Sequence, residues 1–210
     1  EATKMGHITQ AALTLASETG GEVQLTVTSS ITGEELTLNK IDIQSNNNAE
    51  NGMGALADEV NRYASLTGIS ATAIVNTTTT SAISAGTTGS GFSINGINIG
   101  AITVEANDSN NALTTAINGK VAEHGITAAT NSDGTMTLTS SDGRAISVTG
   151  SISDVFNSTG SQMSTQGYLN LSQKGVSQFQ INGIGAGAVG EAIDINVDMT
   201  TVKDSVIASG

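Results

Sequence analysis

Apolar and polar residues alternate over residues 7–16 and again over 23–28, the period of strands with one buried face. Gly20-Gly21 between them marks a turn. A further strand is expected over 36–43, followed by an Asn-rich loop over 44–51. The period then changes. Met53, Leu56, Ala57, Val60 and Ala64 recur at helical spacing, and Thr67-Gly68 is a helix stop, which predicts a helix over 53–66 and a strand over 69–75. Residues 92–99 read as a hairpin around Asn95-Gly96, a pair suited to a type I′ turn because both central residues need positive φ. A helix over 110–124, capped by Ser109 or Asn110, ends at Gly125. Strands come next over 126–130, 135–140 and 145–149, separated by Ser132-Asp133-Gly134 and Asp142-Gly143 turns, and the last strands are expected over 168–172, 176–181 and 191–199.

Two parts of this pattern are copies of each other. Leu36-Thr-Leu-Asn-Lys-Ile-Asp-Ile43 recurs as Phe92-Ser-Ile-Asn-Gly-Ile-Asn-Ile99 at a shift of 56, and Gly68-Ile-Ser-Ala-Thr recurs as Gly125-Ile-Thr-Ala-Ala at a shift of 57. Between them Ala55, Leu56, Val60 and Ala64 answer to Ala112, Leu113, Ile117 and Val121. A near-constant shift over three landmarks marks one supersecondary unit written twice. The fold class expected is α+β, mainly β: two small subdomains, each an antiparallel sheet packed on one helix. Residues 1–84 form the first, completed by 165–210, and 85–164 form an inserted second. The low-complexity run over 76–91 and the polar run over 151–167 read as exposed connections between them.

Composition narrows the function. Aromatics are 2% of the 210 residues, so the cores are expected to be built from Ile, Val, Leu, Ala and Met. Seven Lys and Arg stand against 19 Asp and Glu, a net charge of −12 with no basic stripe, which disfavours nucleic acid and anionic membrane as partners. No apolar run is long enough to cross a bilayer, and no signal segment opens the chain, which begins at Glu1 and reads as a processed chain or an excised fragment. With no Cys, disulfides and thiolate metal sites are excluded; with no Pro, turns rest on Gly, Asn and Asp.

Catalytic constellations are missing. Gly185-Ala-Gly187-Ala-Val-Gly190 matches the dinucleotide-binding glycine spacing, yet residues 191–198 have the period of a strand rather than the helix such a site needs. His7 and His124 lie apart, and His124, next to a helix-ending glycine, fits a cation complementing the helix dipole. Asn46-Asn-Asn48 and Asp108-Ser-Asn-Asn111 lack the glycine and closing Glu of a calcium loop. Asn76-Thr-Thr78, Asn107-Asp-Ser109, Asn157-Ser-Thr159 and Asn170-Leu-Ser172 fit the N-x-S/T pattern, which arises readily in so Asn- and Thr-rich a chain. No catalytic, cofactor or metal residue is assigned, and an enzyme is not expected.

The second copy, with Asn111-Ala-Leu-Thr-Thr-Ala-Ile-Asn118, Glu123-His-Gly-Ile-Thr-Ala-Ala129, Asp133-Gly-Thr-Met-Thr-Leu-Thr-Ser140 and Asp142-Gly-Arg-Ala-Ile146 after the hairpin, resembles the IN motif of bacterial flagellins. The first copy, with Gly54-Ala-Leu-Ala-Asp-Glu-Val-Asn61, resembles the same module, and the flanks Gly6-His-Ile-Thr-Gln10 and Val206-Ile-Ala-Ser-Gly210 resemble the borders of the flagellin middle region. The resemblance implies a structural, surface-exposed part of an extracellular flagellar filament, exported without a cleaved signal. It also implies other flagellin subunits as partners, through terminal helices this chain lacks, so that the chain by itself is expected to be monomeric. Because some flagellins carry sugars on surface hydroxyls, Thr77, Thr78, Thr79, Thr80, Ser81, Ser84, Thr87 and Thr88 are candidate glycosylation sites, the alternative being a plain connection. A flagellar cap or hook-associated protein domain, or a surface adhesin or glycan-binding module, are the other readings.

Overall fold

The structure, a computed structural model, describes residues 6–15, 20–174, 181–184 and 195–205. The chain opens with strands β1 (Gly6–Leu15), β2 (Gly21–Thr28), β3 (Glu35–Thr37) and β4 (Ile41–Ile43), helices α1 (Met53–Arg62) and α2 (Ala64–Thr67), and β5 (Ile69–Ile74). Its middle holds β6 (Asn76–Thr78), β7 (Gly86–Thr87), β8 (Ser93–Ile94), β9 (Ile97–Asn98), β10 (Thr103–Val104), α3 (Ala112–Asn118), α4 (Val121–His124), β11 (Ile126–Thr130), β12 (Met136–Ser140), β13 (Val148–Thr149) and α5 (Ser153–Phe156). It closes with β14 (Tyr168–Lys174), β15 (Ile181–Ile184) and β16 (Ile195–Ser205). The architecture is α+β and mainly β, in small antiparallel sheets. Two compact units divide the chain, one drawn from 1–43, 54–73 and 168–210, the other from 44–53 and 74–167.

In the first unit β16, β1, β14 and β5 form one sheet in that order, and β15, β2, β3 and β4 form another. Gly20 and Gly21 both take positive φ, 86° and 150°, but β1 and β2 enter different sheets rather than pairing. β1 instead runs antiparallel to β14, with Leu13 opposite Leu169, and to β16 on its other side. The alternation read along 23–28 is realised: Val23, Leu25 and Val27 are buried and the residues between them are not. Leu56, Ala57 and Val60 of α1 and Ile69 and Ala71 of β5 complete an aliphatic core. Each large aliphatic side chain withdrawn from water contributes about 1.5–3 kcal/mol.

In the second unit β11, β12 and β6 form one sheet, β13, β8 and β9 another, and β10 pairs with β7. α3 packs on β11 and β10, burying Leu113 and Ile117. Three expectations need correction here. The run over 76–91 is no exposed connection: β6 pairs with β12, Ile83 is buried, and its N–H donates to Gly134 O (2.8 Å). Residues 151–167 are no linker either, because Ile152, Val155, Phe156 and Met163 are all core. Single apolar residues scattered among Ser, Gly and Thr show no period, yet a few large ones suffice to seal the unit. The boundary placed at 84/85 therefore falls at 73/74, and 44–53 joins the second unit as well. The third correction concerns the core itself, which is not wholly aliphatic: the Phe92 and Phe156 rings meet edge to face, centroids 5.5 Å apart. Of the strands expected over 176–181 and 191–199, residues 176–180 and 191–194 lie outside the described residues, as do the Gly185–Gly190 spacing and 206–210.

Candidate functional site: a doubled helix-to-strand joint and a hydroxyl-rich surface

Asn95 and Gly96 turn the β8–β9 hairpin with φ of 49° and 77°, as the type I′ reading requires. Asn95 does more than turn. Its buried side chain donates to His124 O (3.1 Å) and Ala145 O (2.9 Å) and accepts from Ser147 N (2.8 Å), tying the hairpin to the end of α4 and to the strand region before β13. The start of α3 is held mainly by Asp108, not Ser109: its buried carboxylate accepts from Leu113 N and Thr114 N (2.9 Å each) and from Thr114 Oγ1 (2.7 Å). Asn110 Oδ1 adds one bond from Ala112 N (3.2 Å).

The joint between helix and strand is the same in both copies. Asn118 donates to Ala128 O (2.9 Å) and accepts from Ala128 N (2.8 Å); Asn61 donates to Ala71 O and accepts from Ala71 N, both at 2.8 Å. Gly125 and Gly68 both end their helices at φ 73°, ψ 8°, and their N–H groups donate to Val121 O (2.7 Å) and Ala64 O (2.8 Å). Every pair is related by a shift of 57. β5 and β11 each stand at the edge of a sheet, so the carboxamide supplies one strand residue with the donor and acceptor that a neighbouring strand would have given.

His124 is fully buried, and its place in the first copy is taken by Thr67. It is not a cation serving the helix dipole. Ile126 N–H donates to Nδ1 (3.0 Å), which fixes Nδ1 as the acceptor and leaves Nε2–H to donate to Ile117 O (3.1 Å). Burial pulls its pKa below the ordinary 6.5, outweighing the Ile117 carbonyl and Glu123.

A second cluster joins the loop over 44–52 to the turn at 142–144. Arg144 grips Asp142 through Nε (3.0 Å to each carboxylate oxygen) and donates from Nη1 to Asn47 Oδ1 (2.9 Å) and Asn47 O (3.2 Å), while Asn47 Nδ2 donates to Glu123 O (2.7 Å). Burial raises the Asp142 pKa, but the bonds and charge of Arg144 more than offset it and hold the carboxyl below its usual range. Nothing in the sequence pointed to this clasp, since its partners are 97 residues apart.

The eight candidate hydroxyls divide by exposure. Thr78, Thr80, Ser81 and Thr87 are exposed, and Thr77 and Ser84 are half-buried. Thr79 and Thr88 are sealed: Thr79 Oγ1 donates to Ser81 O (2.7 Å) and accepts from Met136 N (3.1 Å), and Thr88 Oγ1 donates to Gly100 O and accepts from Ile102 N, both at 2.8 Å. Among the exposed ones, Thr78 meets Thr137 across the β6–β12 ladder (2.8 Å) and Thr87 meets Thr103 (3.2 Å). Among the described residues no group of three or more His, Asp or Glu is placed to hold a metal ion, and no helix is long and apolar enough to cross a membrane.

The family model of the flagellin hook IN motif matches residues 91–142, from the hairpin through α3 and α4 to the end of β12. The chain is 39% identical over 129 residues to Flagellin A of Helicobacter felis and 35% identical over 129 residues to Flagellin A of Helicobacter pylori, in each case 61% of this chain and 25% of the relative. Flagellin B of Helicobacter pylori matches at 38% over 101 residues, 48% of this chain and 20% of that protein. The chain thus spans about a quarter of the length of the curated relatives it matches.

Proposed function

We propose that this chain is the outward-facing part of a flagellin, a structural component of the extracellular flagellar filament that serves motility; its match to the flagellin hook IN motif at residues 91–142 and its likeness to the Helicobacter flagellins support the reading. The observation that carries the reading is the IN module together with its twin: two helix-to-strand joints with matching Asn clamps and matching left-handed glycines. The polar groups of these joints bind the chain's own backbone, which supports a static role rather than chemistry. Assembly with other flagellin subunits is assigned to parts of the protein outside this chain, and the chain alone is monomeric. An acidic surface of Ser, Thr, Asn and Gly, at a net charge of −12, suits a domain presented to water in many copies.

Immunogold labelling of native flagella with antibody raised against residues 1–210 tests this. Label along the whole filament is expected. Label confined to the filament tip or to the hook junction would instead identify a cap or hook-associated protein, and absence of label from flagella would refute both.

The exposed hydroxyls of Thr78, Thr80, Ser81 and Thr87, with the half-buried Thr77 and Ser84, are proposed as sugar acceptors. Thr79 and Thr88 drop out of that set, because attaching a sugar there would replace the proton each donates to a backbone carbonyl and force a bulky group into a buried site. Intact mass and peptide mapping of the native protein should place added mass on the peptide holding residues 77–88, and an unmodified mass would reject the assignment.

A further inference from the structure

The two joints differ at one titratable position. In the first, Ile69 N–H donates to Thr67 Oγ1 (3.2 Å), and in the second Ile126 N–H donates to His124 Nδ1 (3.0 Å). A hydroxyl accepts that bond at any pH, whereas an imidazole nitrogen accepts it only while unprotonated. His124 has no exposed surface, and its other nitrogen is already committed to Ile117 O. A proton arriving at Nδ1 would set one N–H against another inside the core. It would also charge a ring whose neighbours give divided support. On its own helix Glu123 favours the cation and Lys120 opposes it; from the turn at 142–144 Arg144, paired with Asp142, opposes it.

We propose that His124 makes the second unit acid-labile, proton uptake at Nδ1 opening the joint between α4 and β11, while the matching joint between α2 and β5 in the first unit, with Thr67 in that place, has no such response. Linkage fixes the sign. A histidine whose folded pKa lies below its unfolded value costs nothing well above pH 6.5. Below that pH the unfolded state takes up a proton the folded state refuses, so stability falls until the folded pKa is reached. One proton makes the opening equilibrium rise about tenfold per pH unit in that window. Carboxylates held below their ordinary range, such as Asp133 and Asp142, release their stabilisation only at lower pH, from about 4 downward.

Native-state hydrogen exchange of the 210-residue chain, followed by NMR from about pH 7.5 to 4.5, reads both units at once. The protection of Ile126 and Ala128 amides, corrected for intrinsic exchange, should fall about tenfold per pH unit below 6.5. Ile69 and Ala71 amides should keep theirs, and His124→Thr should abolish the slope in the second unit. Equal slopes in both units, or a slope that survives His124→Thr, would overturn the proposal. Should His124→Thr fail to fold the second unit, the wild-type ring decides. Its carbon-bound proton signal is expected to stay at the neutral position well below pH 6.5, and a free titration near 6.5 would sink the idea.

Discussion

The two copies of the repeat share a joint and differ in what leads into it. Behind each helix an Asn carboxamide clamps the edge strand and a left-handed glycine turns the chain, at a shift of 57 and with nearly equal distances. Ahead of the helix the copies part. In the first, β3 and β4 both lie antiparallel on β2, one along each half of it; in the second, the equivalent residues fold back on themselves as the β8–β9 hairpin. What has stayed constant is the part that satisfies its own backbone locally. What has changed is the part whose hydrogen bonds depend on which strand is available beside it. The module is therefore a helix-to-strand joint with an adaptable arm.

The largest expected difference between the units comes from their cores. Phe156 packs its ring against Phe92, and the first unit's described core has no aromatic pair. Phe156→Ala should cost the second unit about 3–5 kcal/mol, from lost transfer energy plus the cavity left behind. Urea unfolding followed by resolved NMR signals should show the second unit's midpoint dropping sharply while that of the first holds. Coincident loss of both would mean that they unfold as one cooperative body.

The clamps should behave alike. Asn118→Ala and Asn61→Ala each strip one edge residue of a donor and an acceptor, an expected cost of about 2 kcal/mol apiece. They also free the N–H and C=O of a strand edge, a template for unwanted pairing. Faster amide exchange at Ala128 and at Ala71, respectively, with self-association of each variant rising on sedimentation, would be the paired signature. A cost in one copy several-fold above the other would break the equivalence of the joints.

Much of this was legible in the sequence, and the reasons are specific. The helices showed through Met53, Leu56, Ala57 and Val60 and through Leu113 and Ile117, because burial on one helical face enforces the spacing. The hairpin showed through Asn95-Gly96, and the repeat showed the modules. The clamps did not, although Asn61 and Asn118 stand at matching positions: an Asn late in a helix carries no period, and its partner lies ten residues on. The buried Thr79 and Thr88 were hidden by their setting in a polar run, since a hydroxyl that donates and accepts can be buried as cheaply as it can be exposed. His124 was visible as a residue but not as a neutral acceptor. That depends on Ile117 and Ile126 converging on its two nitrogens, which only the fold reveals.

The smallest effects belong to the residues that first suggest why the arms differ. Position 96 is Gly at φ 77° and its counterpart in the first copy is Lys40, a contrast that invites crediting this one residue with the choice between hairpin and extended arm. Gly96→Lys should cost about 1–2 kcal/mol of left-handed strain, with no clash added, because a Cβ there meets nothing within 4 Å. Lys40→Gly tests the converse. It removes an exposed ion pair with Glu22 (3.5 Å) and adds chain entropy to the unfolded state, together about 1 kcal/mol. It should not create a hairpin. Leu38 N–H is held by Leu25 O (2.8 Å) and Asn39 N–H by the buried Glu59 carboxylate (2.8 Å), and a fold-back would forfeit these bonds together with the β2 ladder. Cross-strand NOEs between β2 and β3 and between β2 and β4 should survive Lys40→Gly unchanged. If they give way to contacts between Leu36 and Ile43, the turn residue rather than the neighbouring strand sets the arm.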